Sequence, residues 1–122
     1  MEVLEVARQI EKKINQSEDA RKKLKEYSVK YAETIVAFDK AMAITMAKLQ
    51  AGRELPLDGT IIKCTTATNL KDYAKPLCEQ QQADMLIADA MYKNCVTQIK
   101  AILAELNGLQ SIYRHLDSTG SL

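Results

Sequence analysis

Glycine and proline are scarce in this chain, four and two in 122 residues, and aromatic side chains make up only 5% of it. A many-turned β fold needs more of the first two at its reversals, so helix is the default architecture. Nor is there a strong excess of charge. A formal net charge of +1 gives no global pull toward nucleic acid or an anionic membrane. Long apolar runs are missing as well. The stretch from Ala41 to Ala47 is interrupted by Thr45 and falls far short of the roughly 20 residues of a bilayer span. The first residues alternate acidic and apolar side chains without a basic segment or cleavage site, so no secretory signal is expected. Cysteine occurs three times, at Cys64, Cys78 and Cys95, without the close pairs that metal sites use. Together these absences predict a reduced, cytoplasmic protein with no metal or other cofactor and no membrane partner.

What is present is amphipathic helix. With 47% hydrophobic and 27% charged residues the chain is expected to be a folded single domain. From Met85 the apolar residues fall at Ala88, Tyr92, Cys95, Ile99, Ile102, Leu106, Leu109, Tyr113 and Leu116. These steps alternate three and four without a miss, the period of a helix packed along one seam. Cys95 lies on that seam and is expected to be a small core residue.

Residues 2–51 read as one earlier helix. One seam position holds Val3, Ile10, Ser17, Leu24, Tyr31, Phe38 and Thr45. The other holds Ala7, Ile14, Arg21, Ser28, Ile35, Met42 and Leu49, so Ser17, Arg21 and Ser28 weaken the middle of its first half. Fifty residues at about 1.5 Å each would make a rod too long to stand alone. Lys48 in the last turn and Gly52 just beyond mark its stop.

A linker over 52–66 follows, with turn signals at Pro56 and Asp58-Gly59. Within it, Thr60 to Thr66 reads either as a short extended piece or as an irregular loop laying Ile61 and Ile62 on the helices. Residues 67–116 then supply a short helical turn and the main helix. Thr65, Thr66, Thr68 and Asn69 are capping candidates, and Pro76 is expected at the first position of the main helix, where its missing N–H costs nothing. Gly108 sits inside that helix, at a cost of about 1 kcal/mol against Ala unless another backbone comes close. Residues 117–122 read as a frayed tail.

Few residues suggest chemistry. Arg21, Lys22, Lys23 and Lys25 form the densest basic cluster and are the candidate anion contact. Glu18, Asp19 and Glu26 flank them, which favours a solvated helix face. His115 is the one histidine, with no nucleophile, metal-ligand or acid–base set arranged near it in sequence. Tyr27, Tyr31, Tyr92 and Tyr113 could stack on bases, but three of them hold seam positions and core is the better reading. More telling are apolar residues off the second seam: Leu86, Ile87, Met91, Val96, Leu103 and Ile112. One antiparallel neighbour cannot cover them all, so Leu86, Met91, Val96, Leu103 and Ile112 are the candidate self-association or partner surface.

The segments Thr60-Ile61-Ile62-Lys63, Asp89-Ala90-Met91-Tyr92 and Leu106-Asn107-Gly108-Leu109-Gln110-Ser111 carry a resemblance. In these, and in its order of long helix, Leu-Pro-Leu-Asp-Gly loop and long helix, the chain resembles small uncharacterised helical-hairpin proteins. These come from early gene clusters of tailed phages and prophages of Gram-positive bacteria. The resemblance implies a phage-type accessory role in the host cytoplasm and no catalytic or ligand residue.

The expected architecture is therefore all-α: a long, coiled-coil-like antiparallel helical hairpin that assembles into a multi-helix bundle as a homo-oligomer. The expected function is non-enzymatic, through contact with a host or phage protein, either inhibiting a host defence or assisting phage replication. Two alternatives stay open. One is a nucleic-acid accessory factor using residues 21–25; the other is an oligomeric sponge for an anionic nucleotide ligand.

Overall fold

The computed structural model describes residues 2–63 and 69–119. It is an all-α antiparallel hairpin in which α1 (Val3–Gln50) packs against α3 (Glu79–Ser118). Between them lie β1 (Leu55–Leu57), β2 (Thr60–Ile62) and the short α2 (Leu70–Leu77). The chain divides into two compact units, Met1–Ser28 with Met91–Leu122, and Val29–Ala90. They are called here the terminal unit and the central unit.

In the central unit, α1 stops as its last residues dictate. Gly52 takes φ +81°, a conformation an L side chain rarely adopts. The Arg53 N–H donates to the Lys48 carbonyl at 3.1 Å and the Gly52 N–H to that of Leu49 at 3.0 Å. Those two bonds complete a Schellman stop and satisfy carbonyls the helix end leaves open. Of the two readings of Thr60–Ile62, the extended one holds. β1 and β2 pair antiparallel, with Leu55 opposite Ile62 and Leu57 opposite Thr60. Asp58 and Gly59 both have positive φ, 47° and 79°, the backbone that closes a two-residue hairpin with the right twist. Two strands of three residues are marginal alone. Leu55 and Ile62 anchor them on a core of Met42, Leu49, Ala74 and Cys78.

Pro76 does not open the main helix. It lies inside α2, and the break comes two residues later at Cys78. A proline removes one N–H and crowds the turn before it, but its fixed φ is helical, so the chain carries the helix one residue further, to Leu77, before breaking. Cys78 then donates back to Lys75 at 3.1 Å in a tightened last turn, and its own carbonyl accepts the Gln82 N–H at 3.0 Å, opening α3. The buried Cys78 thiol lies 3.4 Å from the Thr45 hydroxyl. Asn69 does precede α2, though its side chain makes no capping bond. Cys64, Thr65, Thr66 and Thr68 lie outside the described residues, as do 120–122 of the tail.

The seam of α3 is the one read from its spacing: every residue from Met85 to Leu116 on it is buried or half-buried. On α1 one seam position needs correction. In the terminal unit the inward line runs Val3, Val6, Ile10, Lys13, Ser17, Ala20, Leu24 and Tyr27, while Ile14, Arg21 and Ser28 are exposed. The second position is therefore Val6, Lys13, Ala20 and Tyr27, one residue earlier than the expected Ala7, Ile14, Arg21 and Ser28. In the central unit the expected Met42 and Leu49 are buried as anticipated. Helix geometry accounts for the step. A strict heptad line drifts by about 20° per repeat on a helix of 3.6 residues per turn, so about five repeats shift it by one residue.

The polar members of the line are satisfied locally. Ser17 donates to the Ile14 carbonyl at 2.8 Å and Thr34 to that of Tyr31 at 2.7 Å. Small side chains at Ser17 and Ala20 bring α3 close, so that the Cys95 thiol points at the Ala20 carbonyl, 3.5 Å away. Lys13 forms an ion pair with Glu105 at the edge of the same unit. Even so, the only buried residues among those described in the terminal unit are Val6, Ser17 and Cys95.

Candidate functional site

The five residues expected to form an outer apolar surface do not share one environment. In the central unit Leu86 is 58% exposed, and its neighbour Ile87 is 60% exposed. In the terminal unit Met91 and Ile112 are exposed, whereas Val96 and Leu103 are half-buried within that unit. Substituting the latter pair would disturb the hairpin itself as well as any outer contact. Adjacent positions on α3 differ in direction by about 100°, so Leu86 and Ile87 cannot both be drawn into one seam with Met85 and Ala88. Gly108 faces open space: among the described residues, no atom of another segment lies within 4 Å of where a Cβ would stand, so none of them brings a second backbone close.

Arg21, Lys22, Lys23 and Lys25 are all exposed. They do not form one face, because about 100° per residue carries Lys22 and Lys23 progressively round the helix from Arg21 and Lys25. Glu18, Asp19 and Glu26 fall among them in the same angular range, and the field is mixed rather than basic. His115 lies exposed in the last turn of α3, where its carbonyl accepts from the Ser118 hydroxyl at 2.9 Å. Tyr27, Tyr31, Tyr92 and Tyr113 are half-buried, as residues on a packed seam should be. Tyr27 joins the line through the corrected register. Among the described residues no group of three or more His, Cys, Asp or Glu side chains could hold a metal ion. No helix among them is long and apolar enough to cross a membrane.

One feature was not legible from spacing. In the central unit a groove of about 510 Å³ opens beside the core cluster. Phe38, Met42 and Met46 supply its α1 side, and Met85 closes it from α3. Lys71 and Lys75, both exposed on α2, stand on its rim, with Asp39 on the α1 side. The four-residue steps from Phe38 to Met42 to Met46 are visible in the sequence as one ridge of a helix. Nothing in the sequence says that a groove stays open between that ridge, α2 and Met85.

No protein-family model, curated protein or solved structure matches this chain.

Proposed function

We propose that this protein is a non-enzymatic accessory protein that works by holding other polypeptides on its helices, a second copy of itself included. The observation that carries this reading is the exposure of Leu86 and Ile87, 58% and 60%, side by side on an otherwise regular helix. Large aliphatic side chains left this open, next to a groove floored by methionines, make the kind of surface that protein partners cover. The thin core of the terminal unit supports self-association, since two helices alone bury little of their seam. The resemblance to phage helical-hairpin proteins supports a setting in infected cells, where the partner is a host-defence or replication protein. No specific observation favours the nucleic-acid or nucleotide-sponge alternatives over it, given the mixed charge around Arg21 to Lys25.

Light scattering at micromolar concentration tests the self-association arm. The wild type is expected to be larger than a monomer, and Leu86→Glu with Ile87→Glu to be smaller at unchanged helicity. Both residues are exposed, so the double variant should keep its fold to within about 0.5 kcal/mol per site. A wild-type monomer rules out the second copy and leaves the surface to a foreign polypeptide.

A further inference from the structure

Resting on that reading, we propose that the central-unit groove is a seat for one kind of partner: an amphipathic helix with acidic residues along one side of its apolar stripe. The floor is apolar and adaptable. Phe38, Met42, Met46 and Met85 line it, and methionine side chains reshape readily around different apolar anchors. From Phe38 to Met46 the α1 ridge covers about 12 Å, the length of roughly two helical turns. Anchors at i, i+3 or i+4, and i+7 of an incoming helix match that length.

The rim supplies the charge preference: of the charged side chains lining the groove, Lys71 and Lys75 outnumber Asp39, while Asp72 and Glu79 lie with Lys75 around the neighbouring hollow and not in the groove. Lys71 and Lys75 are one helical turn apart on α2, so their ammonium groups address two positions of the occupant and not one. Among the described residues neither has an ion-pair partner. Two glutamates spaced by four residues on the incoming helix would face them. Asp39 on the opposite rim disfavours acid on that side, which fixes which flank of the occupant is acidic.

The banks of the groove favour a helix over a small amphiphile. Val36 is 65% exposed and lies at helical spacing from Asp39 and Ala43 on α1, while Leu86 is 58% exposed and one turn beyond Gln82 on α3. An acyl chain lying in the groove would leave both uncovered, and its single carboxylate would engage one lysine. A helix resting across the groove covers the banks and uses both lysines.

The probe is a fluorescein-labelled 20-residue helical peptide with leucines at i, i+3, i+4 and i+7 and glutamates flanking one side. Its control carries lysine at each glutamate, and fluorescence anisotropy is read with the full-length protein. Saturable binding of the glutamate peptide is expected, with the lysine peptide weaker. Lys71→Glu with Lys75→Glu should weaken the glutamate peptide roughly tenfold and turn the preference toward the lysine peptide. Met46→Glu should abolish binding of both. The lysine reversals are at exposed positions and are expected to leave the circular dichroism unchanged, as Lys71→Gln with Lys75→Gln should too, so they stand even if Met46→Glu unfolds. A flat trace through millimolar protein, or binding that both lysine reversals leave unchanged, overturns the groove assignment. So does displacement of the peptide by equimolar oleate with no dependence on Lys71 and Lys75, which would make the site one for small amphiphiles. No peptide binding to the wild type, while Leu86→Glu with Ile87→Glu still dissociates the assembly, would remove the groove and leave the wider docking function standing.

Discussion

Leu49→Ala is expected to lower the stability of the central unit by about 3 kcal/mol, within the span measured for deleting a buried leucine side chain. Leu49 is 1% exposed and is the largest fully buried side chain among the described residues. It packs with Met42, Ala74 and Cys78, and half-buried Leu55, Ile62, Leu70 and Leu77 close around that cluster. The loss combines the transfer energy of the removed methyl groups with the cavity they leave. The surrounding side chains are only partly enclosed and can collapse inward, which keeps the value from the upper end of the range. The same leucine carbonyl accepts the Gly52 N–H at the helix stop, and that backbone bond survives the change. Urea unfolding followed by circular dichroism reads the effect. A loss under about 1 kcal/mol would mean that the α1 terminus, the hairpin and α2 do not share one core.

Val6→Asp should be at least as damaging to the terminal unit, at roughly 3 kcal/mol or more, because it buries an unpaired carboxylate where a methyl pair had been. Val6 is fully buried, while Leu4, two residues earlier, is 68% exposed. Leu4→Asp should therefore stay within about 0.5 kcal/mol of wild type. The pair is a direct test of register. If the inward line ran through Ala7 and not Val6, the two substitutions would cost similar and small amounts. Hydrogen exchange over residues 3–28 separates the outcomes, since protection there depends on the unit staying closed.

The register of α1 shows how far spacing alone carries. The α3 seam from Met85 to Leu116 holds apolar residues at every three-four step, and only one face fits them. On α1 the choice lay between two lines one residue apart. One contained Lys13 and Thr34 and the other Ile14 and Ile35, so hydropathy favoured the second. The fold accommodates the polar residues of the first line by local means: Thr34 bonds its own helix, and Lys13 reaches Glu105 at the edge of the seam. Spacing also placed the stop at Gly52 and the turn at Asp58-Gly59, because positive φ restricts residue choice. It misplaced the break near Pro76: local cost favours proline at the first position of the main helix, yet Pro76 ends up next to last in α2, where the packing of Ala74 and Leu77 on the core outweighs the lost hydrogen bond.

The candidate surface was half legible. Off-seam apolar residues were recognisable from their angle on the helix, and Leu86, Met91 and Ile112 are exposed accordingly. Val96 and Leu103 lie close enough to the seam to be half-buried within the terminal unit, a difference set by side-chain reach and not by sequence position. The groove depends on where α2 lies beside α1, which no periodicity encodes.

That Leu86 faces a protein partner is tested most directly by site-specific photo-crosslinking, with a benzophenone side chain in place of Leu86 and, as a control, in place of the exposed Lys22. The full chain is expressed in its native cells, irradiated, and resolved by denaturing electrophoresis and mass spectrometry. A discrete polypeptide adduct is expected from position 86, either a second copy or one foreign protein, and none from position 22. No adduct from position 86, or the same diffuse products from both positions, would contradict it.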